Sequence, residues 1–378
     1  MNKFIVIGAG ILGASTAYHL AKLGASVTVI DRKDQGQATD AAAGIICPWL
    51  SQRRNKAWYA LAKNGAAYYE TLIEALEADG EKDTGYRKVG AISLHTENAK
   101  LEAMEERATT RRMDAPEIGE VYRLNEDDTN QLFPPLDEAY ASVYVSGAAR
   151  VNGRAVRDAL INGAKKHGAT FIEGSASLIH QDTDIVGVKV GEQVIHADRV
   201  IVTAGAWASD LLSPIGIDLQ VRGQKAQIAH LQLEGVERAH MPVVMPPTNQ
   251  YILTFDDGEV VVGATYEDDK EGDLNVTAGG LHEILNKALQ VAPGLNSATY
   301  KEARVGFRPV TPNFMPIIGE VPNMTGLFLA NGLGSSGLTV GPYLGGQLAK
   351  LALGQQVEID LDLYRVDLAM TQNKKLMQ

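Results

Sequence analysis

The sequence predicts an α/β protein in which a parallel-sheet domain is interleaved with a smaller α+β domain built on a mostly antiparallel sheet. Three observations carry that prediction. A strand, glycine turn, helix and second strand open the chain, strand-then-glycine patterns return near residues 200 and 330, and the stretch between about 220 and 262 alternates apolar with polar residues.

The opening unit is KFIVIGAGILGASTAYHLAKLGASVTVID. Residues 4–7 are apolar, rich in β-branched side chains and too few for a helix, so they read as a buried parallel strand. Gly8, Gly10 and Gly13 follow as G-x-G-x-x-G, opening a helix to about Lys22 that Gly24 stops. Val27 to Ile30 form a second strand ending at Asp31. The three glycines serve a tight turn, close backbone approach to a pyrophosphate, and packing of helix on strand. The N–H groups at the helix start favour phosphate, and an acid placed like Asp31 suits a ribose hydroxyl pair. In register, these parts make a Rossmann-like dinucleotide unit.

Composition bounds the rest. A chain of 378 residues, 45% hydrophobic and 21% charged, is an ordinary globular protein long enough for two domains. A net charge of −11 argues against a nucleic-acid partner. The single cysteine, Cys47, rules out internal disulfides and a cysteine metal cage and suits a reducing compartment. The chain enters its first strand within three residues, and no apolar run is long enough for a membrane span. The expectation is a cytoplasmic protein; a peripheral membrane contact and the oligomeric state stay open.

Further along, ATDAAAGIICPW is dominated by small residues that let backbone approach something flat and bulky, or start a weakly capped helix with Asp40 as N-cap. Residues 55–78 form a long amphipathic helix whose aromatics read as core. Residues 86–95 give two short strands around Gly90, and 97–113 a charged, exposed helix. Asn152 caps a helix to Lys166, ended by Gly168, with a strand over 169–172. Residues 185–202 alternate like a hairpin and end in ADRVIVTAGAW, a further parallel strand running into Gly205. A helix over 277–291, a buried strand over 326–330, the glycine turn NGLGSSGLTVGP and a helix from about Pro342 to Leu353 complete the chain. Residues 1–83, 147–219 and 306–378 are assigned to the nucleotide domain, and 84–146 and 220–305 to the substrate domain. The ligand is expected between the two.

The chain resembles the D-amino-acid oxidase and dehydrogenase family of flavoproteins, nearest its glycine oxidase and D-amino-acid dehydrogenase branch. The likeness covers nearly the whole length. It rests on VIGAGILGASTAYHLAKLGASVTVID, TDAAAG, ADRVIVTAGAW, GEVVVGAT, GFRPVTPNFMPIIG and GLFLANGLGSSGLTVGP. The resemblance implies FAD with its pyrophosphate on the first motif, its flavin beneath the TDAAAG loop, and the C-terminal glycine turn closing over the ring. The implied contacts are Gly8, Gly10, Ile11, Leu12, Gly13, Asp31, Arg32, Thr39, Ala42, Ala43, Gly44, Gly205, Trp207, Gly332, Gly334, Ser335, Ser336, Gly337 and Leu338. One covalent-flavin branch of the family carries a cysteine after its Arg-Pro pair; Arg308-Pro309 is followed here by Val310-Thr311-Pro312, so the FAD is expected to be non-covalent.

The expected substrate handle is Arg308, because a planar fork donating two parallel hydrogen bonds matches an amino-acid carboxylate. Tyr251 resembles the family's second carboxylate donor. Ser335, where some glycine oxidases carry an arginine, Tyr266, where a methionine is found, and Ile46 complete the expected substrate pocket, and Arg53 and Arg54 either bring charge near the flavin or are solvated. The family reaction needs no dedicated acid or base, since the flavin carries the redox chemistry, and the scattered histidines give no metal site. The expected activity is FAD-dependent oxidation of a small amino acid (glycine, sarcosine, D-proline or another D-amino acid), with oxygen or an unidentified acceptor taking the electrons. Oxidation of a 2-hydroxy acid, or a flavin-binding redox sensor without turnover, are the alternatives.

Overall fold

The computed structural model describes residues 2–234, 240–268 and 272–371. Residues 235–239, inside the stretch expected to alternate, and the last seven of the expected nucleotide domain lie outside the described residues.

The apolar run at the start becomes the strand Lys3–Ile7 at the centre of a six-stranded sheet. Its neighbours are Ser26–Asp31 and Arg199–Val202, flanked by Thr170–Glu173 and Leu327–Asn331, all parallel. Ile317–Glu320 adds an antiparallel edge. The two-residue period of a strand divides its side chains between two cores. Phe4 and Val6 face the helices Ile11–Lys22, Gly153–Lys166, Lys56–Ala78 and Gly337–Ala352, whereas Ile5 and Ile7 face a layer containing the antiparallel strands Ala176–Gln181, Asp184–Val190 and Gln193–His196. The hairpin expected over 185–202 is thus a three-stranded meander followed by the parallel strand Arg199–Val202.

A second, eight-stranded sheet runs in the order Thr299–Val310, Arg222–Gln232, Glu259–Gly263, Tyr251–Thr254, Val243–Met245, Ala91–His95, Ala141–Val145, Val121–Leu124. It is antiparallel except where Val243–Met245 meets Ala91–His95. Its outer face is covered by the helix Ala278–Val291, capped by Thr277, through Ile284, Ala288 and Val291. Its inner face, including Ala226, Ile228, Leu253 and Val261, joins the core of the first unit. The strand Thr299–Val310 pairs with Arg222–Gln232 along its length. It therefore crosses the boundary expected at residue 306, and Arg308 sits on the second sheet.

Three local readings are corrected. No helix starts at Asp40: residues Ala38–Ala41 make one 3-10 turn, Asn55 caps the next helix, and the Asp40 carboxylate pairs with Arg157 and Arg154. The last helix begins at Gly337, five residues before Pro342. Proline lacks the N–H that would bond back to the Leu338 carbonyl, and the Tyr69 hydroxyl donates to that carbonyl instead (2.6 Å). The helix Asn98–Arg112 is not a purely solvated face, because Arg111 stacks over Tyr59 and donates to the carbonyls of Trp49 and Ser51.

Candidate active site

Between the two sheets lies a continuous cavity of about 1010 Å³, reaching from Asp31 to Arg308. Its floor is the opening glycine turn. Gly8 has φ of +101°, and a side chain there would strike the Thr203 carbonyl at 2.6 Å. At Gly13 a Cβ would lie 1.8 Å from the Gly8 carbonyl oxygen and 2.5 Å from Thr203 Oγ1. Gly13 does not line the cavity; its task is contact between helix and strand. Gly10 differs, for a Cβ there would meet only Thr39 Oγ1, at 3.4 Å. The protein leaves that space clear on the cavity side, where a bound group approaches.

The first helix begins at Ile11, whose N–H donates to Thr39 Oγ1 (3.0 Å). Its first main-chain hydrogen bond within the helix runs from Ala14 N–H to the Gly10 carbonyl (2.8 Å). The N–H groups of Leu12 and Gly13 precede it and have no acceptor within the helix, the arrangement that suits a phosphate. At the far rim, Asp31 Oδ2 accepts from Ala9 N–H (2.6 Å) and Oδ1 from Lys33 N–H (2.6 Å) and Gln37 Nε2 (3.0 Å). These contacts aim the carboxylate while its further lone pairs stay available. Arg32 also lines this end and pairs with Asp34.

Thr39, Ala42, Ala43 and Gly44 line the middle of the cavity. Gly44 is required by the fold, since φ is +102° and a Cβ would stand 1.9 Å from the Val151 carbonyl. Opposite them are Gly205, Trp207, Gly334, Ser335, Ser336, Gly337 and Leu338, the last two being the start of the final helix. Gly332 is not at the wall: it turns beneath Thr311 and Met315 with φ of +76°. Ile46 is likewise absent from the wall. Neighbouring residues of a strand face opposite ways, so Ile45 lines the cavity with Cys47 while Ile46 is buried in the core.

At the other end stand Arg308, Tyr251, Tyr266 and Ser335, the residues expected to form the substrate pocket. Arg308 donates Nη1–H to the Thr265 carbonyl (3.3 Å), and its guanidinium lies 4.3 Å from the centre of the Tyr266 ring. Tyr251 starts its own strand, and the absence of a side chain at Gly263 opposite makes room for its hydroxyl. Burial pushes the Tyr251 phenol well above its ordinary value, with nearby Arg308 opposing and Tyr266 adding. The hydroxyl therefore stays protonated and able to donate. Arg53 and Arg54 lie off the wall: Arg53 donates to the Phe314 carbonyl (2.7 Å) and stacks over Trp58, and Arg54 is exposed.

Sequence reading passed over several wall residues. Trp58, read as core, lines the cavity and donates its indole N–H to Ser336 Oγ (3.0 Å). Ser175, Leu178, Leu211 and Ile215 line the end near Asp31, and Met104, His95, Met245 and Gln250 the end near Tyr251. The small-residue run GSAS at 174–177, following a strand, was an available signal for the first group. Among the described residues no cluster of His, Cys, Asp and Glu is arranged to hold a metal ion, and no helix is long and apolar enough to cross a membrane.

A cavity of this length, with free helix N–H groups, a clear Gly10, small residues midway and an acid at one end, fits a flavin dinucleotide. Comparison with known proteins agrees. The chain is 61% identical over 365 residues to the uncharacterized oxidoreductase YurR of Bacillus subtilis (strain 168), covering 96% of this chain and 98% of that one. It is 29% identical over 367 residues to a glycine oxidase of Pseudomonas aeruginosa, covering 95% and 97%. The structure of an iminodiacetate oxidase from Chelativorans sp. BNC1 superposes with a TM-score of 0.93 at 46% identity, covering 96% of this chain and 98% of that one. Residues 3–351 match the family described as FAD dependent oxidoreductase (DAO), and the chain belongs to that family: it is an FAD-dependent oxidoreductase with a Rossmann-like cofactor domain.

Proposed function

We propose that the protein oxidises a small amino acid at its CH–NH2 or CH–NH bond, giving an imine that hydrolyses to the 2-oxo acid. The observation that carries this reading is Arg308, with one donor held by Thr265 and the rest of its fork at the cavity wall beside the Tyr251 hydroxyl. Arg308 takes the substrate carboxylate through paired charge-assisted hydrogen bonds, and Tyr251 donates a further one. Bound FAD, held non-covalently, supplies the hydride acceptor at its N5. The remaining work of the chain is orientation and exclusion of water: Tyr266 covers the guanidinium, while Gly8, Gly10, Ile11, Leu12, Thr39, Asp31 and the 42–44 and 334–338 turns hold the cofactor. On this reading residues 2–83, 147–219 and 311–371 form the cofactor unit, and 84–146 with the described residues of 220–310 the substrate unit.

Similarity to an iminodiacetate oxidase favours a second reading, an amino acid bearing a second carboxylate. Against it, Arg308 is the one arginine or lysine among the described residues at the substrate end of the wall; the other, Arg32, lies beside Asp31. A single-carboxylate substrate is therefore the favoured class. The test is anaerobic bleaching of the flavin with glycine, sarcosine, D-proline, other D- and L-amino acids, iminodiacetate and 2-hydroxy acids. Reduction by monocarboxylate amino acids at the lowest concentrations supports the proposal. Reduction by hydroxy acids alone, or by nothing in the panel, overturns it in favour of hydroxy-acid oxidation or a flavin sensor.

A further inference from the structure

Among the described residues Lys225 is the one lysine buried completely. It lies on the strand Arg222–Gln232, next to Gln224, which faces Arg308 across the sheet. A buried ammonium is costly unless paired and hydrogen-bonded. This one donates to Asp273 Oδ2 (2.8 Å) and the Asn275 carbonyl (2.7 Å), with Glu267 Oε2 at 3.9 Å. All three partners belong to the connection between the strand Glu259–Gly263 and the helix Ala278–Val291.

The main chain adds to the clamp. Lys225 N–H donates to the Glu267 carbonyl (3.1 Å) and Glu267 N–H to the Lys225 carbonyl (3.0 Å). Glu267 Oε1 also accepts from Gln227 Nε2 (2.7 Å) and Thr265 Oγ1 (2.7 Å). Adjacent residues in such an extended pairing project to opposite sides. Glu267 thus turns to Lys225, and Tyr266 turns to the guanidinium of Arg308. Beyond Ala264, which is buried in the core, apolar burial does little for the described part of this connection: Tyr266, Leu274 and Val276 are 46%, 41% and 41% exposed. Its anchorage is largely polar: Arg222 and Gln224 hold Asp268, Gln227 holds Thr265, Glu267 and Thr277, and the Lys225 ammonium is the buried charge that ties the far part, Asp273 and Asn275, to the strand.

We propose that Lys225 is a positioning residue for the substrate-carboxylate subsite, pinning the connection so that Thr265 and Tyr266 keep Arg308 in its working orientation. The proposal rests on the assignment of Arg308 as the carboxylate handle. Removing the ammonium also strips Glu267 and Asp273 of their counter-charge and leaves two carboxylates facing each other in the connection that carries Thr265 and Tyr266.

The test uses FAD-loaded Lys225→Met, close in volume but uncharged, and Asp273→Asn, which keeps the lysine. Flavin content, melting temperature, kcat and KM for the best amino acid are measured, together with calorimetric binding of acetate. Full flavin content with KM and the acetate dissociation constant each raised about tenfold or more, and kcat within about threefold, is expected for Lys225→Met. Asp273→Asn should move the same two constants in the same direction by about threefold. A lowered melting temperature with unchanged KM and acetate binding overturns the proposal and leaves a purely structural lysine. If Lys225→Met does not fold, Asp273→Asn decides by the same criterion. An unaltered Arg308→Lys enzyme sinks the underlying handle assignment. Loss in Arg308→Lys with no change in either clamp variant sinks the clamp alone.

Discussion

Arg308→Lys isolates geometry from charge. Of the five N–H donors of a guanidinium, the structure commits one to the Thr265 carbonyl, and the plane rests on Tyr266. Lysine keeps the charge but presents no planar fork, so at least one charge-assisted hydrogen bond to the substrate carboxylate is lost. Such a bond contributes about 1.5–3 kcal/mol, which corresponds to roughly a ten- to hundred-and-fifty-fold fall in kcat/KM. Flavin content should not change, because the Arg308 guanidinium bonds the Thr265 carbonyl and takes no part in the glycine turn or in the hydrogen bonds that aim Asp31. Arg308→Ala should lose more, and amino-acid amides should be poor substrates of the parent enzyme. Steady-state kinetics on the parent's best amino acid, flavin absorbance and a melting curve are the assays. Unaltered kcat/KM with a lowered melting temperature would refute the reasoning, for Arg308 would then be holding the Thr265 loop and not a substrate.

The two glycines of the opening turn should part company. Gly13→Val places a side chain where its Cβ already meets the Gly8 carbonyl at 1.8 Å, so the folded yield should collapse; Gly10→Ala has space, so the apoprotein should melt within a few degrees of the parent but retain little FAD. Asp31→Ala should weaken FAD by roughly ten- to hundredfold through loss of a charged hydrogen bond, and should also destabilise the apoprotein, because Asp31 holds Ala9, Lys33 and Gln37; an unchanged FAD dissociation constant by fluorescence titration would remove the ribose assignment. His19 predicts an acid limb. Its Nδ1–H donates to the Ser15 carbonyl, its Nε2 accepts from Tyr68, and burial lowers the imidazole to about 4. The unfolded chain, with the ordinary value of about 6.5, then binds more protons between those limits, so stability is full above about pH 6.5 and falls by about 2–3 kcal/mol as pH drops to 4. Chemical denaturation at pH 7 and 4.5 should show this loss in the parent and not in His19→Gln.

The cofactor unit was legible because its demands are local. A turn with positive φ at Gly8, a helix packed against Gly13 and an acid at a fixed distance must be written within about thirty residues, and Lys3–Ile7, Ile11–Lys22 and Ser26–Asp31 follow that stretch closely. What escaped was set by distant partners. Pro342 reads as a helix start, and only Tyr69, far away in sequence, lets the helix pass through it. Trp58 has the spacing of a core residue, and its indole becomes part of the wall because Ser336 lies within reach. Ile46 and Ile45 are equivalent in sequence, and the facing of a two-residue strand decides between them. Lys225 carried no signal at all: a lysine in an alternating strand reads as solvent-facing, and its burial depends on acids over forty residues ahead.

On the proposed reading, placement of substrate against cofactor comes down to one strand. Thr299–Val310 carries Gly306, Phe307 and Arg308 in succession. Phe307 N–H donates to the Gly36 carbonyl (2.9 Å), and Phe307 pairs with Gln37, the residue that holds Asp31. At Gly306 a Cβ would come 2.8 Å from the Cβ of Ala41, so the strand lies directly against the turn that leads into Ala42 and Ala43. Arg308, the proposed carboxylate handle, is therefore one residue from a main-chain contact to the loop framing the cofactor cavity. A flexible joint between two domains would not hold a reacting carbon and its hydride acceptor to the sub-ångström tolerance such transfers need. Here the register of a single strand relates the two, and the strand beside it carries Lys225, whose ammonium holds Asp273 and the Asn275 carbonyl. The strand therefore runs unbroken through the boundary expected at 306, and it keeps Arg308 in one element with Gly306 and Phe307, which meet the 36–41 turn.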